Sequence, residues 1–80
     1  MRIPRDLTGS QLIKGLRIFG YEPTRQSGSH IRLTTTTGGT HHITIPNHRP
    51  LRIGTLASIL DEVANHHRIT RDELLAKLEL

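Results

Sequence analysis

The chain contains no cysteine. That excludes a disulfide framework, a thiol nucleophile and a thiolate-bound metal, and it fits a reducing compartment. Aromatic residues are nearly as scarce, Phe19 and Tyr21 being the two present. The core must therefore come from Leu, Ile and Val, and a single-strand binder that stacks bases on aromatic platforms is disfavoured. No segment approaches the roughly 20 apolar residues of a membrane span. The opening Met1-Arg2-Ile3-Pro4-Arg5-Asp6 also lacks the apolar run of a signal peptide. These absences point to a cytoplasmic protein with no membrane association.

Acidic residues are sparse over the first sixty positions, where only Asp6 and Glu22 occur, and five of the seven Asp and Glu lie from Asp61 onward. All of the eleven Lys and Arg except Arg68, Arg71 and Lys77 fall in the first sixty, within a formal net charge of +4 and with six His besides. A basic body with a more acidic tail suits a polyanionic partner such as nucleic acid. The alternative is an ordinary solvated surface that happens to be basic. Eighty residues make a single domain over 1–80 with a thin core and no room for a separate cofactor domain.

A short arm over residues 1 to 6 precedes a helix announced by Thr8-Gly9-Ser10-Gln11, which fits a capping box, with Leu7 and Leu12 as its hydrophobic staple. Leu12, Ile13, Leu16 and Phe19 form its apolar stripe, and Gly20 ends it. Tyr21 to Gln26 reads as a strand that Pro23 confines to an edge or a bulge. Ile31-Arg32-Leu33-Thr34 and His41-His42-Ile43-Thr44-Ile45 alternate apolar and polar as strands do, joined through Thr36-Thr37-Gly38-Gly39-Thr40. Ile31, Leu33, Ile43 and Ile45 then share a buried face, and His30, Arg32, His42 and Thr44 the opposite, wet one.

Past Pro46 comes a polar, basic loop, then a second helix near Gly54 with Thr55 or a neighbour as cap and a stripe of Leu56, Ile59, Leu60 and Val63, broken over residues 65 to 68. Thr70-Arg71-Asp72-Glu73 is another capping box, stapled by Ile69 and Leu74, opening a short third helix over 70–79 whose Leu74, Leu75 and Leu78 either join the core or form a docking surface. The result is an α+β domain, a three-stranded antiparallel meander with helices on one face and the other face free.

Four runs in order, Gln11-Leu12-Ile13-Lys14, Arg25-Gln26-Ser27-Gly28-Ser29-His30, Ile43-Thr44-Ile45-Pro46-Asn47-His48 and Gly54-Thr55-Leu56-Ala57-Ser58-Ile59-Leu60, resemble the HicA mRNA interferase toxins. The resemblance covers about residues 8 to 64. It implies a double-stranded-RNA-binding-domain-like α-β-β-β-α fold with a core over 7–66, endoribonuclease action on messenger RNA, and inhibition by a HicB-type antitoxin protein. The family's essential histidine lies in its Gly-Ser-His motif, here His30. Departures are Ile31 and Arg32, where members often carry further His or aromatics, and the third helix, which extends past the usual core.

RNA cleavage by the neighbouring 2′-hydroxyl needs a base, a proton for the leaving 5′-oxygen and positive charge for the phosphorane. Histidine, whose ordinary pKa is about 6.5, suits the first two tasks. Arg, Lys and backbone N–H groups near Gly28 suit the third. His30 is therefore the expected acid or base, with Lys14, Arg25 and Arg32 as phosphate contacts. His42 and His48 are weighed as a second proton carrier or RNA contact against plain solvated histidines. Arg49 and Arg52 are phosphate contacts or a solvated loop, and Ser29 bonds a phosphate or ties down its turn. His66-His67 are expected to complement the negative pole of the second helix when charged. His41, His42 and His48 are a weak metal set lacking Cys or a fitting carboxylate, so neither metal nor small-molecule cofactor is expected. Two other classes remain: an RNA-binding module that does not cut, and a protein-interaction scaffold using Leu74, Leu75 and Leu78.

Overall fold

A computed structural model describes residues 3–80, so Met1 and Arg2 of the expected arm lie outside the described residues. Thr8 starts helix α1 (Gly9–Leu16) with the full reciprocal capping box: its hydroxyl accepts the Gln11 N–H and the Gln11 side chain accepts the Thr8 N–H. Leu7, Leu12, Ile13 and Leu16 are buried, while Lys14 and Arg17 are exposed. A single 3-10 turn, Arg17–Phe19, extends the helix, and Gly20 at φ 83° stops it in the left-handed region that favours glycine.

Strands β1 (Glu22–Ser27), β2 (His30–Thr35) and β3 (His41–Pro46) form one antiparallel sheet in that order. The register of β1 slips between Pro23 and Arg25, so the proline sits beside a bulge on an edge strand that is exposed throughout. Ser27 pairs with His30 across the two-residue turn Gly28-Ser29, and Gly28 at φ 59° in the first position gives a type II′ hairpin. Leu33, Ile43 and Ile45 are buried and Ile31 is half-buried, whereas His30, His42 and Thr44 are exposed. The alternation thus places the two sets on the faces expected of them.

Helix α2 (Ile53–His67) begins earlier than the cap expected at Thr55 or a neighbour. Arg52 is its N-cap and no side chain caps it. The start is fixed by a tertiary contact: Leu51 is buried and its N–H donates to the Leu7 carbonyl at 2.7 Å, after which Leu56 N–H already reaches the Arg52 carbonyl. The expected break at 65 to 68 falls at its far end, where Arg68 turns left-handed at φ 57°. Helix α3 (Arg71–Leu78) carries its own complete capping box, Thr70 with Glu73.

All three helices feed one apolar cluster under the sheet, with Leu12, Leu16, Leu33, Ile45, Leu56, Leu60 and Leu74 fully buried. Burial of each such side chain contributes about 2 kcal/mol. Leu74, Leu75 and Leu78 are all in that cluster, so the stripe that a scaffold would present to a partner is already covered within the chain. Arg71 grips Asp61 with two parallel hydrogen bonds of 2.9 and 2.8 Å, joining α3 to α2. The fold is α+β and double-stranded-RNA-binding-domain-like, with the helices on one sheet face and the other face open.

Candidate active site

His30 opens β2, and its Cα pairs with Ser27 on one side and Pro46 on the other. Its exposed side chain shares the open face with Arg32 and Thr34. Arg25 stands directly opposite Arg32 in the ladder, and neither has an ion-pair partner among the described residues. Like charges at one rung repel, and an anion between them would relieve that cost.

Around these residues lies a cleft of ≈ 1070 Å³ that runs from the open face, at Arg25, His30, Arg32 and His42, over the β3 edge to Ser58 and Glu62 of α2. A smaller cleft of ≈ 450 Å³ holds His30 together with Pro46, His48, Arg52 and Thr55. His30 is thus common to both. Among the described residues lining the larger cleft, Glu62 is the lone carboxylate; cations, imidazoles and hydroxyls make the rest of its polar surface.

Of the residues expected at the site, Arg25, Arg32, His42, His48 and Arg52 line one cleft or the other with His30. Gly28 and Ser29 form the turn itself, and the Ser29 carbonyl accepts the Asn47 N–H at 2.6 Å. Arg49 is exposed in the loop before α2 but lines neither cleft. Lys14 is apart from the others, in a groove with Ile18, Lys77 and Leu80. Sequence reasoning missed Thr55, Ser58 and Glu62. Their spacing on α2, three and then four residues, is one helix face and is the signal that points to them.

His41 and His42 are neighbours on β3 and project to opposite faces, so His41, His42 and His48 do not converge. Among the described residues no three His, Cys, Asp or Glu are grouped to hold a metal ion. His42 Nδ1 bonds the Thr34 hydroxyl at 2.8 Å, and that hydroxyl bonds Thr24, a polar row across the open face.

His66 and His67 do not simply sit at the helix pole, as expected of them. The Nε2–H of His66 donates to the carbonyls of Thr37 and Gly39, at 3.0 and 3.1 Å, and His67 Nε2 lies 3.1 Å from the Tyr21 hydroxyl. The same hydroxyl is 2.7 Å from His41 Nδ1. Burial, then the nearby Glu62 carboxylate, pushes the Tyr21 hydroxyl up to about 12. Burial, reinforced by His66, holds both His41 and His67 below the ordinary imidazole range. This cluster belongs to the core side of the sheet and ties the β2–β3 hairpin to α2.

Among the described residues no helix is long and apolar enough to cross a membrane. Comparison with the curated proteins and with the solved structures gives no match. Residues 9–64 match the family model described as HicA toxin of bacterial toxin-antitoxin, a span that starts with α1, takes in the whole sheet and ends near the close of α2. An open basic face with a histidine at its hairpin turn is thus carried on a matched segment covering most of the chain, and the chain belongs to the HicA family, the toxins of bacterial toxin–antitoxin systems.

Proposed function

We propose that this toxin is a metal-independent endoribonuclease that cleaves messenger RNA, with His30 transferring a proton at the scissile phosphate. The observation that carries this reading is the position of His30, exposed at the turn end of the open face and common to two clefts lined by Arg25, Arg32 and Arg52. In the reaction the 2′-hydroxyl loses its proton to a base as its oxygen attacks phosphorus. The bond from phosphorus to the 5′-oxygen breaks, and that oxygen takes a proton from an acid. The products are a 2′,3′-cyclic phosphate and a free 5′-hydroxyl. Imidazole is suited to either transfer near neutral pH, and the paired Arg25 and Arg32 oppose the charge that builds on the phosphorane. The donor set of the larger cleft, guanidinium, imidazole and hydroxyl with one carboxylate, favours a phosphate over a hard cation.

Neutralisation by a HicB-type antitoxin would act on the same surface. An acidic partner face over Arg25 and Arg32 would cover His30 and compete with RNA. The purified chain should cleave single-stranded RNA in excess chelator and leave cyclic-phosphate ends, and a 2′-deoxy nucleotide at the cut position should block the cut. Cleavage that stops on chelation, or that passes the 2′-deoxy position, would contradict the proposal.

A further inference from the structure

We infer that His48 is the second proton carrier of the cleavage reaction, facing His30 across the bound phosphate. The inference rests on the nuclease reading above. Transesterification moves two protons at one phosphorus, one from the 2′-oxygen and one to the 5′-oxygen. Each transfer needs a group within about 3 Å of its oxygen, so two imidazoles that share the work must border the same small space.

Placement narrows the choice. His41, His66 and His67 are bonded within the core-side cluster, to Tyr21 and to the Thr37 and Gly39 carbonyls, whereas the bond from Thr34 to His42 Nδ1 leaves the Nε2 of that ring available. Among the described histidines only His30 and His48 line the ≈ 450 Å³ cleft, and neither ring carries a hydrogen bond to another described residue. His42 faces the same side of the sheet, but it pairs with Thr34, four residues along β3 from Pro46, the partner of His30. At about 3.3 Å per residue that is about 13 Å along the backbone, and His42 does not line the smaller cleft that His30 and His48 share.

The backbone around His48 is held by three hydrogen bonds. Asn47 N–H donates to the Ser29 carbonyl at 2.6 Å, one residue from His30, and His48 N–H donates to the Pro46 carbonyl at 2.9 Å. Its own carbonyl accepts the Gly9 N–H at 3.1 Å. The loop carrying His48 is thus fastened both to the turn that carries His30 and to the start of α1. Arg52 and Thr55 complete the cleft, offering charge and a hydroxyl for the non-bridging oxygens.

The test is the pH dependence of kcat/KM on an RNA oligonucleotide for the wild type, His30→Gln, His48→Gln and His48→Arg, each first matched to the wild type in thermal melting. The wild type should give a bell. His48→Gln should lose one limb of it and about 10²- to 10⁴-fold in rate, while binding of a 2′-O-methyl, uncleavable oligonucleotide stays within a few-fold. His48→Arg keeps a positive charge but cannot titrate, so it should be as slow as His48→Gln. Activity retained in His48→Arg, or both limbs retained in His48→Gln, would overturn the inference and leave His48 a phosphate contact or a bystander. Cleavage that survives His30→Gln, or its absence in the wild type, would instead overturn the nuclease reading and the inference with it.

Discussion

The imidazole of His66 lies flat on that of His41, ring centroids 4.4 Å apart and planes 11° from parallel. His66 comes from the end of α2 and His41 from the start of β3, so the stack closes one end of the helix-to-sheet interface. Beside it the Tyr21 hydroxyl, on a fully buried side chain, bridges His41 and His67. A phenol has one proton to donate. With both imidazoles protonated, each would donate to the same oxygen and its proton would lose its acceptor.

Stability should therefore fall on mild acidification. Burial, with His66 second among the causes, holds His41 and His67 below the ordinary value of 6.5; for His41, Glu62 opposes this and His42 adds to it. Folded chains then bind fewer protons than unfolded ones just below pH 6.5, and the stability present above that pH is lost as pH falls through the lowered values. Thermal melting between pH 8 and 5.5 should show Tm declining below about 6.5, less steeply in His67→Gln. A Tm that is level or rises over that interval would count against the cluster as described.

Helix α3 acts as scaffold. Leu74 has no exposed surface, and Leu74→Ala should cost about 2–5 kcal/mol of stability in denaturant titration. Cleavage by the folded fraction at low temperature should be unchanged. A variant that folds as well as the wild type but loses RNA cleavage would place α3 in the functional surface instead.

How much of this was legible in the sequence follows the range of the interactions. Both capping boxes, Thr8 with Gln11 and Thr70 with Glu73, are four-residue features and could be read directly. So could the faces of β2 and β3, because Leu33, Ile43 and Ile45 alternate with polar neighbours. The start of α2 could not, since it is set by Leu51 reaching Leu7. Nor could the bridge from Tyr21 to His67, which spans 46 positions. At the site the pattern placed His30, Arg32 and His42 on one face, but what separates His48 from His42 is that the loop after β3 brings His48 into the smaller cleft beside His30, which no local pattern encodes.

Gly9 is a position where glycine is required. A Cβ there would stand 2.5 Å from the Pro46 carbonyl oxygen and 3.0 Å from Asn47 Cα, both backbone atoms that cannot swing aside. Gly9→Ala should destabilise by about 1–3 kcal/mol and, by displacing the His48 loop, slow cleavage more than it weakens RNA binding. Equal losses in both, or none in either, would mean that α1 does not set the geometry of the loop.

Arg25 and Arg32 should act on RNA affinity and not on folding. Either one changed to Ala should weaken binding at low salt and reduce the salt slope by about one charge's share, ~0.7 for a single strand. Removing one of two opposed like charges should leave stability unchanged or raise it by about 0.2–1 kcal/mol. An unaltered salt slope would remove the pair from the RNA-binding surface.

The most direct test of the central claim is induced expression of the chain beside its His30→Ala variant, following growth and the integrity of messenger RNA in the same cultures. His30 is exposed, so the substitution should leave the fold intact. The expected result is growth arrest and loss of messenger RNA with the wild type, and neither with the variant at equal protein level. Equal arrest by both chains would contradict a nuclease that works through His30.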